Sequence, residues 1–116
     1  MATRQQVEAK LRELIRRLAS ANGEVRGSLS EALPETRVIE VTVPDLDASY
    51  WTELAGGGMS SLRRGVPDDA DIRVRVSSDH LVELVDGRKS LFSSFAGGQI
   101  KIEASFSDLM RLRKLA

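Results

Sequence analysis

The sequence predicts an α+β domain in which a five-stranded, largely antiparallel sheet is covered by N- and C-terminal helices, with two short helices before the last strand. Three observations predict it. Apolar residues recur at three- and four-residue steps near both ends of the chain; several central segments alternate apolar with polar residues; and two short helical runs separate the last two alternating segments. Alternation demands one buried sheet face, and the terminal periodicity supplies helices to cover it.

The first helix opens at Thr3 with Gln6, a reciprocal N-cap pair, and carries Val7, Leu11, Leu14, Ile15 and Leu18 on one face towards Asn22-Gly23. Glu8 with Arg12 and Glu13 with Arg17 are helix-spaced ion pairs suited to its solvated side. A second, short helix is predicted from Ser28 to Pro34. The period then changes. Arg37–Val43 alternates around Ile39, Val41 and Val43; Ser49–Leu54 is rich in strand formers; and Met59–Arg63 reads as a third strand of a meander joined through Pro44–Asp47 and Gly56–Gly58.

A fourth strand, Asp71–Val76, alternates apolar and charged residues, with Arg73 and Arg75 on a solvated face. Ser77, Ser78 and Asp79 offer N-terminal acceptors to a helix through Val85 that Asp86-Gly87 stops. Phe92 and Phe95 share the face of the next short helix. Gln99–Ala104 is the fifth strand, and Ser105 with Asp108 opens a final helix through Phe106, Leu109, Met110, Leu112 and Leu115.

Composition narrows the function. The 116 residues are 41% hydrophobic, with no apolar run near the roughly 18 residues of a membrane span, so one domain with one core over residues 1–116 is expected. The opening Met1–Gln6 lacks the layout of a secretory signal, which leads to an expectation of a cytoplasmic protein. The absence of cysteine excludes disulfides, thiol catalysis and Cys-ligated metals. Seventeen basic residues balance seventeen acidic ones, which disfavours a nucleic-acid binder. Thirteen of the basic residues are arginine, a bias that hints at a bacterial, GC-rich source.

The strings Asp71-Ile72-Arg73-Val74, Leu81-Val82-Glu83-Leu84-Val85-Asp86-Gly87, Phe95-Ala96-Gly97-Gly98-Gln99-Ile100-Lys101-Ile102-Glu103 and Leu109-Met110-Arg111-Leu112, in that order and at those spacings, resemble the C-terminal half of the sterol carrier protein 2 family. The N-terminal half is similar by order of elements more than by residues. Two departures stand out: the link between first helix and first strand is longer than the family's usual one, and the chain ends Arg113-Lys114-Leu115-Ala116, without the extra tail and peroxisomal tripeptide of eukaryotic carriers.

The resemblance implies non-catalytic binding of a hydrophobic small molecule, fatty-acyl, isoprenoid or sterol-like, in an apolar pocket between sheet and helices, with no cofactor. Periodicity together with the family pattern nominates Leu81, Leu84, Val85, Phe92, Phe95, Phe106, Leu109, Met110 and Leu112 as its lining. Trp51 belongs to the same set of large apolar candidates, and ordinary core packing is the competing use for all of them. A ligand-free protein-interaction or dimerisation module of the same fold is the alternative, favoured if Tyr50, Trp51 or the Phe92/Phe95 turn stands exposed. Transient membrane contact by the cationic last helix and a homodimer by exchange of the first helix are left open.

Other chemistry is poorly supported. Ser77, Ser78, Asp79 and His80 suggest a hydrolytic site, but neighbours at a helix mouth rarely point at one another, and a capping turn accounts for them. Ala55–Met59 lacks the Lys-Ser/Thr continuation of a phosphate loop and reads as a hairpin turn. One histidine and no cysteine disfavour a transition-metal site, and no spacing of carboxylates nominates an acid/base pair.

Overall fold

The computed structural model describes residues 2–19, 36–55 and 58–113; at 18, 19, 58, 59, 91, 92 and 111–113 it describes the backbone alone. The helix predicted over Ser28–Pro34 and most of the Gly56–Gly58 turn lie outside these residues.

The first helix, α1 (Arg4–Ala19), starts as its capping pair dictates: the Gln6 amide donates to Thr3 Oγ1 at 3.2 Å, and the Thr3 amide donates to Gln6 Oε1 at 2.8 Å. Strands β1 (Arg37–Val43) and β2 (Ala48–Ala55) form an antiparallel pair, with Ile39 opposite Thr52 and Val41 opposite Tyr50. The tight 3₁₀ turn Pro44–Leu46 between them ends at Asp47 in the left-handed region, φ 49°, a conformation that Asp tolerates better than most residues.

The predicted third strand is broken in two. Strands β3 (Gly58–Met59) and β4 (Arg63–Arg64) both pair with β2, at Leu54–Ala55 and at Tyr50–Trp51. Between them Ser60 displaces regular pairing: its Oγ accepts from the Glu53 amide at 3.0 Å, and its carbonyl takes the Thr52 hydroxyl at 2.8 Å. A serine side chain competing for ladder groups is a local reason for the interruption.

Strand β5 (Ile72–Val76) lies parallel to β1, Ile39 beside Ile72, and antiparallel to β6 (Ile100–Glu103). The sheet runs β3-β2-β1-β5-β6, with β4 also on β2, so it is mixed but mostly antiparallel. Asp71 pins the parallel seam, its amide donating to the Val38 carbonyl at 2.9 Å and its carboxylate accepting from the Val38 amide at 2.8 Å.

Helix α2 (Ser78–Val85) is capped by Ser77 and closed by Gly87 at φ 79°, where the Arg88 amide returns to the Glu83 carbonyl at 2.9 Å. A short helix, α3 (Leu91–Ala96), precedes β6, and α4 (Phe106–Arg113) follows it. The main core lies between α1, α2 and one sheet face, where Val7, Val43, Tyr50, Val76, Leu81 and Ile100 are buried. The opposite face carries Glu40, Arg73, Arg75, Lys101 and Glu103, as the alternation requires.

The described side chains of the last helix are an exposed Phe106 and Ser107, a buried Asp108, a half-buried Leu109 and an exposed Met110. Asp108 meets Arg37 of β1 in a two-pronged pair at 2.8 and 3.0 Å, beside a small cluster built on Leu54 and Ile72.

Candidate functional site: an apolar cavity between sheet and helices

The central strands present a row of branched aliphatics to α1 and α2, yet Ile39, Val41 and Val74 are only half-buried. The reason is a cavity of about 370 Å³ above them. Leu11, Leu14 and Ile15 of α1 form one wall, and Leu81, Leu84 and Val85 of α2 another. Ile39, Val41, Val74 and Ile100 make the floor, while Tyr50, Thr52 and Leu62 close the β2 side. Leu14 is also open to solvent, so the α1 wall borders the exterior. Protein interiors are packed to crystal density with few voids larger than a water, whose share of the liquid is about 30 Å³. This space is far larger than such voids, apolar on most of its surface, and open to solvent beside Leu14.

Polar contacts tie the walls to one another. Arg17 donates to the Val85 carbonyl at 2.6 Å, Lys10 pairs with Asp86, and the Ala2 amide donates to Asp79 at 2.6 Å, joining α1 and the preceding residue to α2. The Ser78 amide and hydroxyl both donate to Asp45, fastening α2 to the turn after β1. On the outer side of α1, Glu8 takes Arg64 of β4 at 2.7 and 3.0 Å.

These contacts set the local titration. The Arg64 hydrogen bond, more than any other contact, holds the Glu8 carboxyl below its usual value, and the Ser78 hydroxyl does the same for Asp45. Burial, and secondarily the neighbouring Glu8 carboxylate, raises the Tyr50 phenol.

The neighbours that suggested a hydrolytic site are separated by their own partners. Ser78 is fully buried and gives its hydroxyl to Asp45, whereas His80 Nε2 lies 2.6 Å from Ser94 Oγ and ties α2 to α3. Among the described residues no group of three His, Cys, Asp or Glu side chains could hold a metal ion. No helix among them is long and apolar enough to cross a membrane.

The model of the SCP-2 sterol transfer family matches residues 5–116. The chain belongs to that family. The fold agrees. Sterol carrier protein 2 like 2 from Aedes aegypti superposes with a TM-score of 0.64 at 11% identity, over 97% of this chain and 98% of that one. The UbiJ-SCP2 ubiquinone synthesis protein does so with 0.63 at 17% identity, over 99% and 92%. The sec-alkylsulfatase Pisa1 from Pseudomonas contains a similar part, TM-score 0.56 at 18% identity, covering 74% of this chain; this chain corresponds to 14% of that much longer enzyme. A search of curated proteins by sequence finds none that matches.

Within this SCP-2 chain the predicted lining residues divide. Leu81, Leu84 and Val85 border the cavity together. Leu109 is half-buried on α4, outside the described lining; Phe92 and Leu112 are positions where only the backbone is described. Phe95, Phe106 and Met110 stand exposed and border no part of it. Helix geometry explains the last three. Asp108 turns inward to Arg37, and residues two positions away lie about 200° round the helix, so Phe106 and Met110 face out. Among the described side chains of α3 the buried one is Ser94, held by His80, which leaves Phe95 turned away.

Most of the cavity wall lies outside the residues that periodicity and the family pattern nominated. It is built from aliphatics of α1 and the inward positions of β1 and β5, which the three-to-four and two-residue periods marked as one face each, together with Tyr50 and Thr52 of β2. Trp51 borders the cavity as well, with the Arg63 guanidinium 4.6 Å from its ring centroid.

Proposed function

We propose that this SCP-2 family chain binds the hydrocarbon chain of a lipid, without covalent chemistry, in the cavity between α1, α2 and the sheet. The observation that carries this reading is the cavity itself, a largely apolar space of about 370 Å³ between the helices and the sheet that opens to solvent beside Leu14. Desolvation supplies the driving force. At about 0.8 kcal/mol for each buried CH₂, a dozen methylenes contribute about 10 kcal/mol, which outweighs a loss of translational freedom at the lower end of the roughly 4–15 kcal/mol range. The palmitated state of the Aedes aegypti relative supports the choice of an acyl chain.

The interaction-module alternative draws on Phe95 and Phe106, which are exposed, but Tyr50 is buried and the cavity has no part in it. Displacement of a fluorescent fatty acid tests the proposal. Leu84→Trp should fill the cavity and weaken binding at least tenfold, with circular dichroism unchanged; a folded variant that binds as well as the parent would overturn it.

A further inference from the structure

We infer that β6 is a docking edge for a second copy of this chain, the two β6 strands pairing antiparallel about a two-fold axis at Ile102. This goes beyond lipid binding and does not depend on it.

The two ends of the sheet are built differently. Beyond β2, strands β3 and β4 are two residues each, and the stretch around Ser60 leaves the ladder between them, which blunts that edge. At the other end β6 pairs with β5 in unbroken register, from Ile100 opposite Val76 to Glu103 opposite Arg73, with no bulge and no proline. Alternate residues of a terminal strand aim their amide and carbonyl away from the sheet. Among the described residues, none outside β5 hydrogen-bonds to the backbone of Ile100–Glu103.

An open edge accepts any strand unless something specifies its occupant. In β6 that specification is charge. Lys101 and Glu103 stand two residues apart on the face opposite the helices, and both are exposed. Lys101 lies directly opposite Arg75, and among the described residues neither cation has an ion pair. Like charges so placed cost stability. Glu103 lies opposite Arg73, whose guanidinium is already on Glu40 at 3.3 Å.

An antiparallel pair of β6 strands centred on Ile102 sets Lys101 opposite Glu103 of the second copy, and Glu103 opposite its Lys101. The charge row Glu40, Arg73, Glu103 then continues into a cation, and the Arg75 and Lys101 pair gains the carboxylate it lacks. Centring on Lys101 or on Glu103 instead places like charges opposite each other, and a one-residue slip turns the apolar face of one copy towards the polar face of the other. One register satisfies both constraints. In it Ile102, half-buried in the single chain, meets its own counterpart on the helix side. Four residues on each side make a short seam, so the association is weak and depends on concentration.

Sedimentation equilibrium of the full chain, of Lys101→Glu, of Glu103→Lys and of the double variant tests this, with circular dichroism as the control for folding. The mass of the parent should rise from monomer towards dimer with concentration. Each single variant turns both pairs across the seam into like charges and should weaken dimerisation about tenfold or more. The double variant restores opposite charges and should regain the behaviour of the parent. An equimolar mixture of the two single variants should form a heterodimer, because one brings two carboxylates to the seam and the other two cations. Lys101→Glu sets a carboxylate opposite Arg75, which favours the fold, so it decides alone if Glu103→Lys does not fold. A parent that stays monomeric at its highest soluble concentration overturns the proposal. So does a dimer indifferent to Lys101→Glu, which places the contact on another surface.

Discussion

The two terminal helices look alike as sequences and behave differently in the fold. Both are amphipathic and both end in cations, yet α1 buries Val7 and Leu11 against the sheet and α2, whereas α4 leaves Phe106 and Met110 in solvent and is held through Asp108. An apolar stripe establishes that a helix has something to bury. Which face turns inward depends on what waits across the interface, and at α4 that is the Arg37 guanidinium. A buried carboxylate and guanidinium in a two-pronged geometry outrank the apolar area of an exposed phenylalanine, because either ion left unpaired in that setting is costly.

This contrast breaks most visibly at Asp108. Asp108→Ala leaves Arg37 without this two-pronged partner and should lower stability by about 3 kcal/mol or more in urea unfolding. A loss no greater than that of a surface substitution would mean that α4 is held by its apolar residues after all. Leu11→Ala in α1 comes next, at about 2 kcal/mol, the low end of core truncations because Leu11 already borders open space; the same urea curves report it.

A smaller effect is read by pH. Glu8 on α1 and Asp45 beneath α2 titrate below their usual values, so below about pH 5 the unfolded chain binds protons that the folded chain does not. Their contribution is complete above the ordinary carboxylate range and is lost as pH falls through the lowered values. The urea midpoint should therefore drop between pH 6 and pH 3, and Glu8→Gln should make that drop shallower; a midpoint unchanged over this range would show that neither carboxylate is linked to folding. Smallest of all, Phe106→Ser should shift stability by no more than about 0.5 kcal/mol, since the side chain is 79% exposed. A large loss there would place Phe106 in the core and collapse the contrast between the helices.

Much of the fold was legible locally. The Thr3/Gln6 capping pair, the Gly87 stop and the two-residue alternation of β1, β2, β5 and β6 are short-range signals that a few neighbouring residues enforce. The interruption at Ser60 was harder to read, since Met59–Arg63 has strand-forming character and only the donors of Thr52 and Glu53 reveal what the serine does. The site was legible where helix period and family pattern coincided, at Leu81, Leu84 and Val85. Elsewhere hydrophobic bulk was a poor guide, because a cavity is a property of spacing between elements and aliphatics line it as well as aromatics.

By itself, the sequence determined most of the described helices and strands, the apolar faces of β1, β5 and β6, and membership of the SCP-2 family over residues 5–116. Tertiary structure alone decided that β5 runs parallel beside β1, that α4 turns its aspartate inward, and that α1 and α2 stand far enough from the sheet to leave about 370 Å³ open. The physical reason is range. Capping, turning and alternation are settled within a few residues, whereas strand order, helix rotation and unfilled volume depend on partners tens of residues away, such as Arg37 with Asp108 and Arg17 with Val85.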